Sequence, residues 1–149
     1  MAGPTFFSEV LSNWLDLSKK AHALNQVEDL KTYCVLLIIT DGTIYDERES
    51  VRLMVEASNY PCSVIIVGVG DGNFSQMQAL DSDEKLLKDD KRRKCKRDIV
   101  QFVPLNRARA QGNLREAVLR EIPDQVCGYM EAHDFQIDPT KLDEKKQLA

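Results

Sequence analysis

Several residue groups in this chain could do chemistry, and each has a structural duty that competes with the chemical one. Gly68-Val69-Gly70-Asp71-Gly72 follows an apolar run, as a phosphate-cradling loop would. The dinucleotide pattern, however, needs glycine at position 73, which is Asn73, so a tight turn is the better reading. Asp46 and Glu47 are hard oxygen donors of the kind that calcium or magnesium takes. They also open a helical pattern, where acids favour the helix N-terminus, and that role is preferred. Asp41-Gly42 ends another apolar run and, taken alone, is a strand-ending turn. Thr5, just ahead of a helical pattern, suits an N-cap.

Catalytic constellations are scarce. His22 and His133 stand beside no nucleophile motif, and Ser8 and Ser75 have no evident base in sequence. The acid pair Asp89-Asp90 lies in a charged stretch, where a desolvated, shifted carboxyl is not expected. Residues 85–97 carry Lys85, Lys88, Lys91, Arg92, Arg93, Lys94, Lys96 and Arg97. Such a run attracts anionic lipid, but Asp81, Asp83, Glu84, Asp89 and Asp90 oppose that field. A solvated loop is expected there.

Composition narrows the class further. With 149 residues, 43% hydrophobic and 30% charged, the chain has the make-up of one globular domain. A net charge of −4 argues against general affinity for nucleic acid or anionic membrane. Cys34, Cys62, Cys95 and Cys127 are widely spaced, with no Cys-x-x-Cys pair, so reduced thiols and an intracellular setting are expected rather than zinc or a disulfide framework. No window approaches the roughly 18 apolar residues that read as a spanning helix.

These groups must be positioned by alternating elements. Phe7, Val10, Leu11, Trp14, Leu15, Ala21 and Leu24 recur at helical spacing. The continuous apolar run over residues 33–40 predicts a strand covered on both faces, as in a parallel sheet. A helix over residues 47–58 and a buried strand over 63–68 follow, then a short helix through Met77 and Leu80. Asp98-Ile-Val-Gln-Phe-Val103 predicts a third strand, stopped by Pro104. A last helix through Leu114, Val118, Val126 and Met130 is expected, kinked near Pro123. The alternation predicts an α/β fold with three parallel strands and flanking helices. Three strands are few for such a sheet, so the chain reads as part of a larger domain.

Leu36-Leu37-Ile38-Ile39-Thr40-Asp41-Gly42 resembles the fourth-strand motif of von Willebrand factor A domains. Gly3-Pro4-Thr5, Ser63-Val64-Ile65-Ile66-Val67-Gly68-Val69-Gly70, Met77-Gln78-Ala79-Leu80-Asp81, Arg97-Asp98-Ile99-Val100-Gln101-Phe102-Val103-Pro104 and Ala117-Val118-Leu119-Arg120-Glu121-Ile122-Pro123 narrow the resemblance to the A domain of copines. The resemblance implies a partial, Rossmann-like A-type fold over residues 3–132 that lacks the first strands of the domain, with a polar, disordered tail over 133–149. It also implies a metal-ion-dependent adhesion site for Mg2+ or Mn2+. That site combines an Asp-x-Ser/Thr-x-Ser loop, a threonine matched by Thr5 and an aspartate matched by Asp41. The first loop has no counterpart; Asp16-Leu17-Ser18-Lys19-Lys20 comes nearest but falls in the helical pattern, with lysine in place of the last serine. Two ligands of an octahedral set predict no stable metal binding by this chain alone.

By the same resemblance the expected function is a non-enzymatic module that binds target proteins, with no nucleic acid partner. Calcium-dependent phospholipid binding, and with it movement from the cytoplasm to the plasma membrane, would belong to C2 domains that this sequence does not contain. The alternative is a truncated product with little activity of its own; a nucleotide-binding enzyme is a more distant one.

Overall fold

The structure, a computed structural model, describes residues 5–81 and 85–135. Gly3 and Pro4 of the resemblance, and residues 136–149 of the expected tail, lie outside the described residues. The chain runs α1 (Ser8–Val27), β1 (Cys34–Thr40), α2 (Glu47–Ala57), β2 (Cys62–Gly68), α3 (Ser75–Leu80), β3 (Val100–Pro104), α4 (Leu105–Ala110), α5 (Leu114–Leu119) and α6 (Ile122–Ala132). The strands form one sheet in the order β1-β2-β3. Both pairings are parallel, with Cys34 opposite Cys62 and Val64 opposite Val100. This is the predicted α/β architecture, part of an A-type fold.

Pleating divides the strand side chains between two layers. Val64 and Ile66 of β2 and Val100 and Phe102 of β3 are buried in the main core. Cys34, Leu36 and Ile38 of β1 pack against it. The helices of that layer contribute Leu11, Trp14, Leu15, Leu53, Met54 and Met77. Lys19 of α1 and Glu56 of α2 form an ion pair at 2.7 Å, joining two helices of the layer. On the other face Ser63, Ile65, Gln101 and Val103 are buried, where α4 and α5 pack on β3 and α6 on β2.

That second layer stops short of β1. Both faces of the strand were expected to be covered, yet Val35, Leu37 and Ile39 are 48%, 53% and 67% exposed, while all seven residues of β2 are buried. The difference is one of cover: β2 has helices above and below, and β3, though also at an edge, is buried under α4 and α5, whereas no described second-layer helix packs substantially on β1.

Three further departures have local causes. The expected single C-terminal helix is two, α5 and α6. Pro123 lies in the first turn of α6, where its missing N–H breaks no helical bond, instead of kinking a longer helix. Helix α4 had no periodic signal over its six residues. The third strand begins at Val100, two residues after the expected start, and includes Pro104, whose absent donor falls at the strand's end.

The basic segment is not uniformly solvated. Asp89 accepts from the Arg93 backbone N–H at 2.8 Å and from its guanidinium at 2.6 Å, closing a tight turn. Arg97, at the segment's end, turns inward to the opposite rim of the sheet. It donates to the Tyr60 and Cys62 carbonyls at 2.6 and 2.7 Å, to the Tyr33 hydroxyl at 2.9 Å and to the Gln125 carbonyl at 3.2 Å. His133 and Phe135, assigned to the tail by sequence, stack 5.7 Å apart, and the His133 ring lies 4.4 Å from that of Tyr129.

Candidate functional site at the carboxyl rim of the sheet

In open parallel sheets, ligands bind beyond the carboxyl ends of the strands, where the connecting loops gather. Asp41 follows the last residue of β1 directly and is exposed; Thr5 is half-buried just before α1. The chain around Thr5 runs alongside the loop that follows Asp41. Thr5 makes a parallel bridge with Ile44, and the Tyr45 N–H donates to the Thr5 carbonyl at 3.0 Å. The two predicted residues are thus carried to one rim by paired segments.

What fastens these segments is Asp46. One carboxylate oxygen accepts from the Phe7 N–H at 2.9 Å and the other from the Ser8 N–H at 2.7 Å. The first donors of α1 have no side-chain cap from their own helix, so Asp46 satisfies them from the neighbouring loop. Sequence reasoning assigned Asp46 to a helix N-terminus but not to this one. Burial alone would raise the Asp46 carboxyl. Hydrogen bonds from the Ser8 hydroxyl and from the Phe7 and Ser8 N–H groups outweigh it and hold the group below the ordinary carboxylate value.

A depressed carboxyl stabilises the fold above its unfolded value and loses that contribution as pH falls through the folded one. Asp46→Ala is therefore expected to cost about 1–2 kcal/mol near neutrality. The cost should fade as pH falls below the ordinary carboxylate value and through the lower folded one, until the carboxyl is protonated in the folded and the unfolded chain alike. Urea unfolding of both proteins across that range checks it; a penalty independent of pH would mean that the charge contributes nothing.

Two more contacts shape the rim. The Gln76 side chain acts as a strand substitute, accepting from the Ile44 N–H at 3.0 Å and donating to the Ile44 carbonyl at 3.2 Å. It also donates to Glu47 at 2.7 Å. Gly72 crosses the Asp41 backbone so closely that an added Cβ would lie 2.4 Å from the Asp41 carbonyl oxygen. Gly70, at φ +87°, supplies the left-handed turn before it. The glycine run is accordingly a turn laid over the end of β1, with Asn106 of α4 donating to the Gly70 carbonyl at 3.2 Å. No sequence signal marked Gln76.

The two residues matched to the adhesion site supply one carboxylate and one hydroxyl, whereas magnesium takes six oxygen positions with near-octahedral geometry. Among the described residues no three of His, Cys, Asp and Glu gather at a possible cation position. Asp16-Leu17-Ser18-Lys19-Lys20 cannot supply the missing loop. It is inside α1, where Ser18 is buried and donates to the Trp14 carbonyl at 2.7 Å, and Lys19 is held by Glu56. Thr5 and Asp41 alone do not complete the coordination of a magnesium ion.

Of the remaining chemical candidates, the histidines are placed elsewhere. His22 shares a 2.8 Å hydrogen bond with the Tyr129 hydroxyl and faces His133 at 5.1 Å between ring centres. Ser8 begins α1 at the Asp41 rim and Ser75 begins α3. The four cysteines are free. Burial pushes the Cys62 thiol up to about 12 and the Cys95 thiol up to about 11, far from thiolate reactivity. No described helix is long and apolar enough to cross a membrane.

A family model described as Copine matches residues 1–138. The chain is 42% identical over 149 aligned residues to Nicotinic receptor-associated protein 1 of Caenorhabditis elegans, an alignment covering 92% of this chain and 23% of that protein. It is 42% identical over 141 residues to Copine-C of Dictyostelium discoideum, covering 94% and 25%, and 37% identical over 138 residues to Copine-A of the same organism, covering 92% and 22%. The chain spans about a quarter of the length of the curated relatives it matches.

Proposed function

Since this chain belongs to the copine family, we propose that it is the carboxyl-side part of an A-type protein-docking module, and that it docks target proteins without catalysing a reaction. The observation that carries this reading is the fastening of the Thr5 and Asp41 segments to one rim by Asp46. A rim built this way suits presenting oxygen donors on loops held by a rigid sheet. In a complete domain Thr5 and Asp41 would be two of the ligands for Mg2+ or Mn2+, which would supply a positive charge for an acidic side chain of the partner. The intact protein would add calcium-dependent phospholipid binding through C2 domains and so move between cytoplasm and plasma membrane; this chain would contribute the protein-facing part.

Calorimetry tests the metal side of the proposal. Titration of this chain with Mg2+ or Mn2+ is expected to show no stoichiometric binding. A complete domain carrying an Asp-x-Ser/Thr-x-Ser loop is expected to bind, and Asp41→Ala in that domain should weaken binding at least about 100-fold, as loss of a charged ligand from a small hard-cation site would. Tight stoichiometric binding by the chain alone, or indifference of the complete domain to Asp41→Ala, would overturn the assignment. Thermal melting tests the absence of nucleotide chemistry: ATP and GTP should leave Tm unchanged, because any bound ligand must raise it by mass action.

A second reading, a truncated product with little activity of its own, is favoured by the bare outer face of β1. It requires loosely packed side chains. A near-ultraviolet circular dichroism signal that vanishes in one cooperative transition would exclude it; exposed, dye-binding apolar surface without such a transition would establish it.

A further inference from the structure

The basic segment between α3 and β3 folds into a hairpin that sorts its charges. Lys88 and Lys94 form an antiparallel bridge. The Asp89 N–H donates to the Arg93 carbonyl at 3.0 Å, and the Cys95 N–H to the Leu87 carbonyl at 2.8 Å. Alternation along each arm points Leu87, Asp89 and Cys95 inward and Leu86, Lys88, Lys94 and Lys96 outward. Burial follows the same alternation. Asp89 and Cys95 are buried and Leu87 packs against the core, whereas Lys88, Lys94 and Lys96 are exposed. The turn carries Lys91 and Arg92, both exposed. Arg92 sits at φ 61°, a left-handed position that glycine would occupy at lower cost.

Acids that oppose this charge in the sequence are engaged inside the fold. Asp89 is bound by Arg93 and Asp90 by Arg48 of α2. Asp81 accepts from the Phe102 N–H of β3 at 3.0 Å; Asp83 and Glu84 lie outside the described residues. Among the described residues, none of Lys85, Lys88, Lys91, Arg92, Lys94 and Lys96 forms an ion pair. Lys88 and Lys94 stand directly opposite each other, a placing of like charges that destabilises a two-stranded ladder. Residues 85–97 hold eight basic and two acidic side chains, so the segment carries +6 and the rest of the chain −10. What the outward face lacks is a counter-charge.

We propose that an extended acidic segment of a target protein docks on the outward face of this hairpin, with its carboxylates against Lys88 and Lys94. This names a partner chemistry for the protein-docking reading above and rests on that reading, but it uses neither Thr5 nor Asp41. A recess lined by Asp46, Arg48 and Lys91 joins the hairpin tip to the rim. Other polyanions fit less well. A membrane surface is broad enough to approach the acidic remainder of the chain too, while one extended segment stays within the roughly 10 Å over which the hairpin's own charge is felt. Leu86 is the one large apolar side chain exposed among the described residues of the hairpin, too little for the apolar face that anchors a segment in a bilayer interface. Single-stranded nucleic acid stacks on rings, and residues 85–97 include no Phe, Tyr or Trp. Arg93 and Arg97, whose planar donors suit phosphate, are turned to the protein's own acceptors.

Fluorescence anisotropy of a labelled oligoglutamate peptide titrated with the full chain in EDTA reads this contact without any cation at the rim. Binding is expected in dilute buffer and should be lost at about 0.5 M salt, where charges are screened within about 4 Å. An oligoserine peptide of the same length should not bind. Lys88→Glu reverses one charge at the centre of the face and should weaken binding about tenfold; Lys94→Gln, which only removes one, should weaken it about threefold. Lys88→Glu also sets an acid opposite Lys94, so its Tm should match or exceed that of the wild type, which separates lost binding from lost folding. Equal binding by the wild type and both variants overturns the proposal, as does a wild type that shows no salt-sensitive binding. Binding to vesicles of phosphatidylcholine and phosphatidylserine, with none to the peptide, overturns it in favour of a membrane contact. Each of these failures leaves the rim assignment standing, because Asp41→Ala in the complete domain decides that one.

Discussion

Arg97→Ala is expected to destabilise the chain by about 3 kcal/mol, because four acceptors lose a charged donor at once, even though the Tyr60 and Cys62 carbonyls keep a second donor in the Cys62 N–H and the Tyr33 hydroxyl. The Tyr60 and Cys62 carbonyls lie at the start of β2, Tyr33 precedes β1 and Gln125 is in α6, so one side chain ties three parts of the fold together. The guanidinium carbon also sits 5.5 Å from the Tyr33 ring centre and 5.6 Å from that of Tyr129. For a chain of this length the loss corresponds to a fall in Tm of about 6–12 °C. Arg97→Lys should recover little, since an ammonium cannot span donors set apart by a planar fork. The measurement is urea unfolding followed by circular dichroism. A loss smaller than about 1 kcal/mol would return Arg97 to the solvated segment in which sequence reasoning placed it.

Ile66→Ala should cost still more, about 3–4 kcal/mol, while Leu37→Ala, in a run that reads the same by sequence, should cost within about 0.5 kcal/mol. Ile66 is fully buried at the middle of β2, between the core helices and a strand on each side. Removing its methyl groups leaves a cavity that neighbouring elements cannot close. Leu37 is 53% exposed on the bare face of β1, where truncation leaves no void. The comparison is read by urea denaturation of both variants followed by circular dichroism. Equal losses at the two positions would mean that the outer face of β1 is covered.

The pair also shows how far the sequence reaches. Apolar periodicity and the run lengths sufficed for the order of elements through β3, for parallel strands and for most of the core face of α1, though Val10 and Leu24 of that face are exposed, because both the 3.6-residue and the two-residue repeats are local consequences of backbone geometry. Asp41 could be placed at a strand end, and Thr5 before a helix, for the same reason. Local patterning cannot say which buried-looking strand lies at the edge, because that depends on how many neighbours the chain supplies to each strand. It also missed α4, whose six residues are too few to show a period, and it merged α5 with α6, because a proline in a first turn and a proline at a kink look alike in one dimension.

Composition and spacing were enough for the sequence to determine an α/β alternation and the strand-end carboxylate, while the likeness to copines rested on the resemblance of whole motifs. Only the tertiary structure decided that Asp46 caps a helix 38 residues away, that Gln76 bonds both backbone groups of Ile44, and that Arg97 leaves a charged segment to bind four oxygens. In each case the partner is remote in sequence. A polar side chain takes the role of whichever donor or acceptor folding leaves unsatisfied beside it, and that neighbour exists only once the elements have packed.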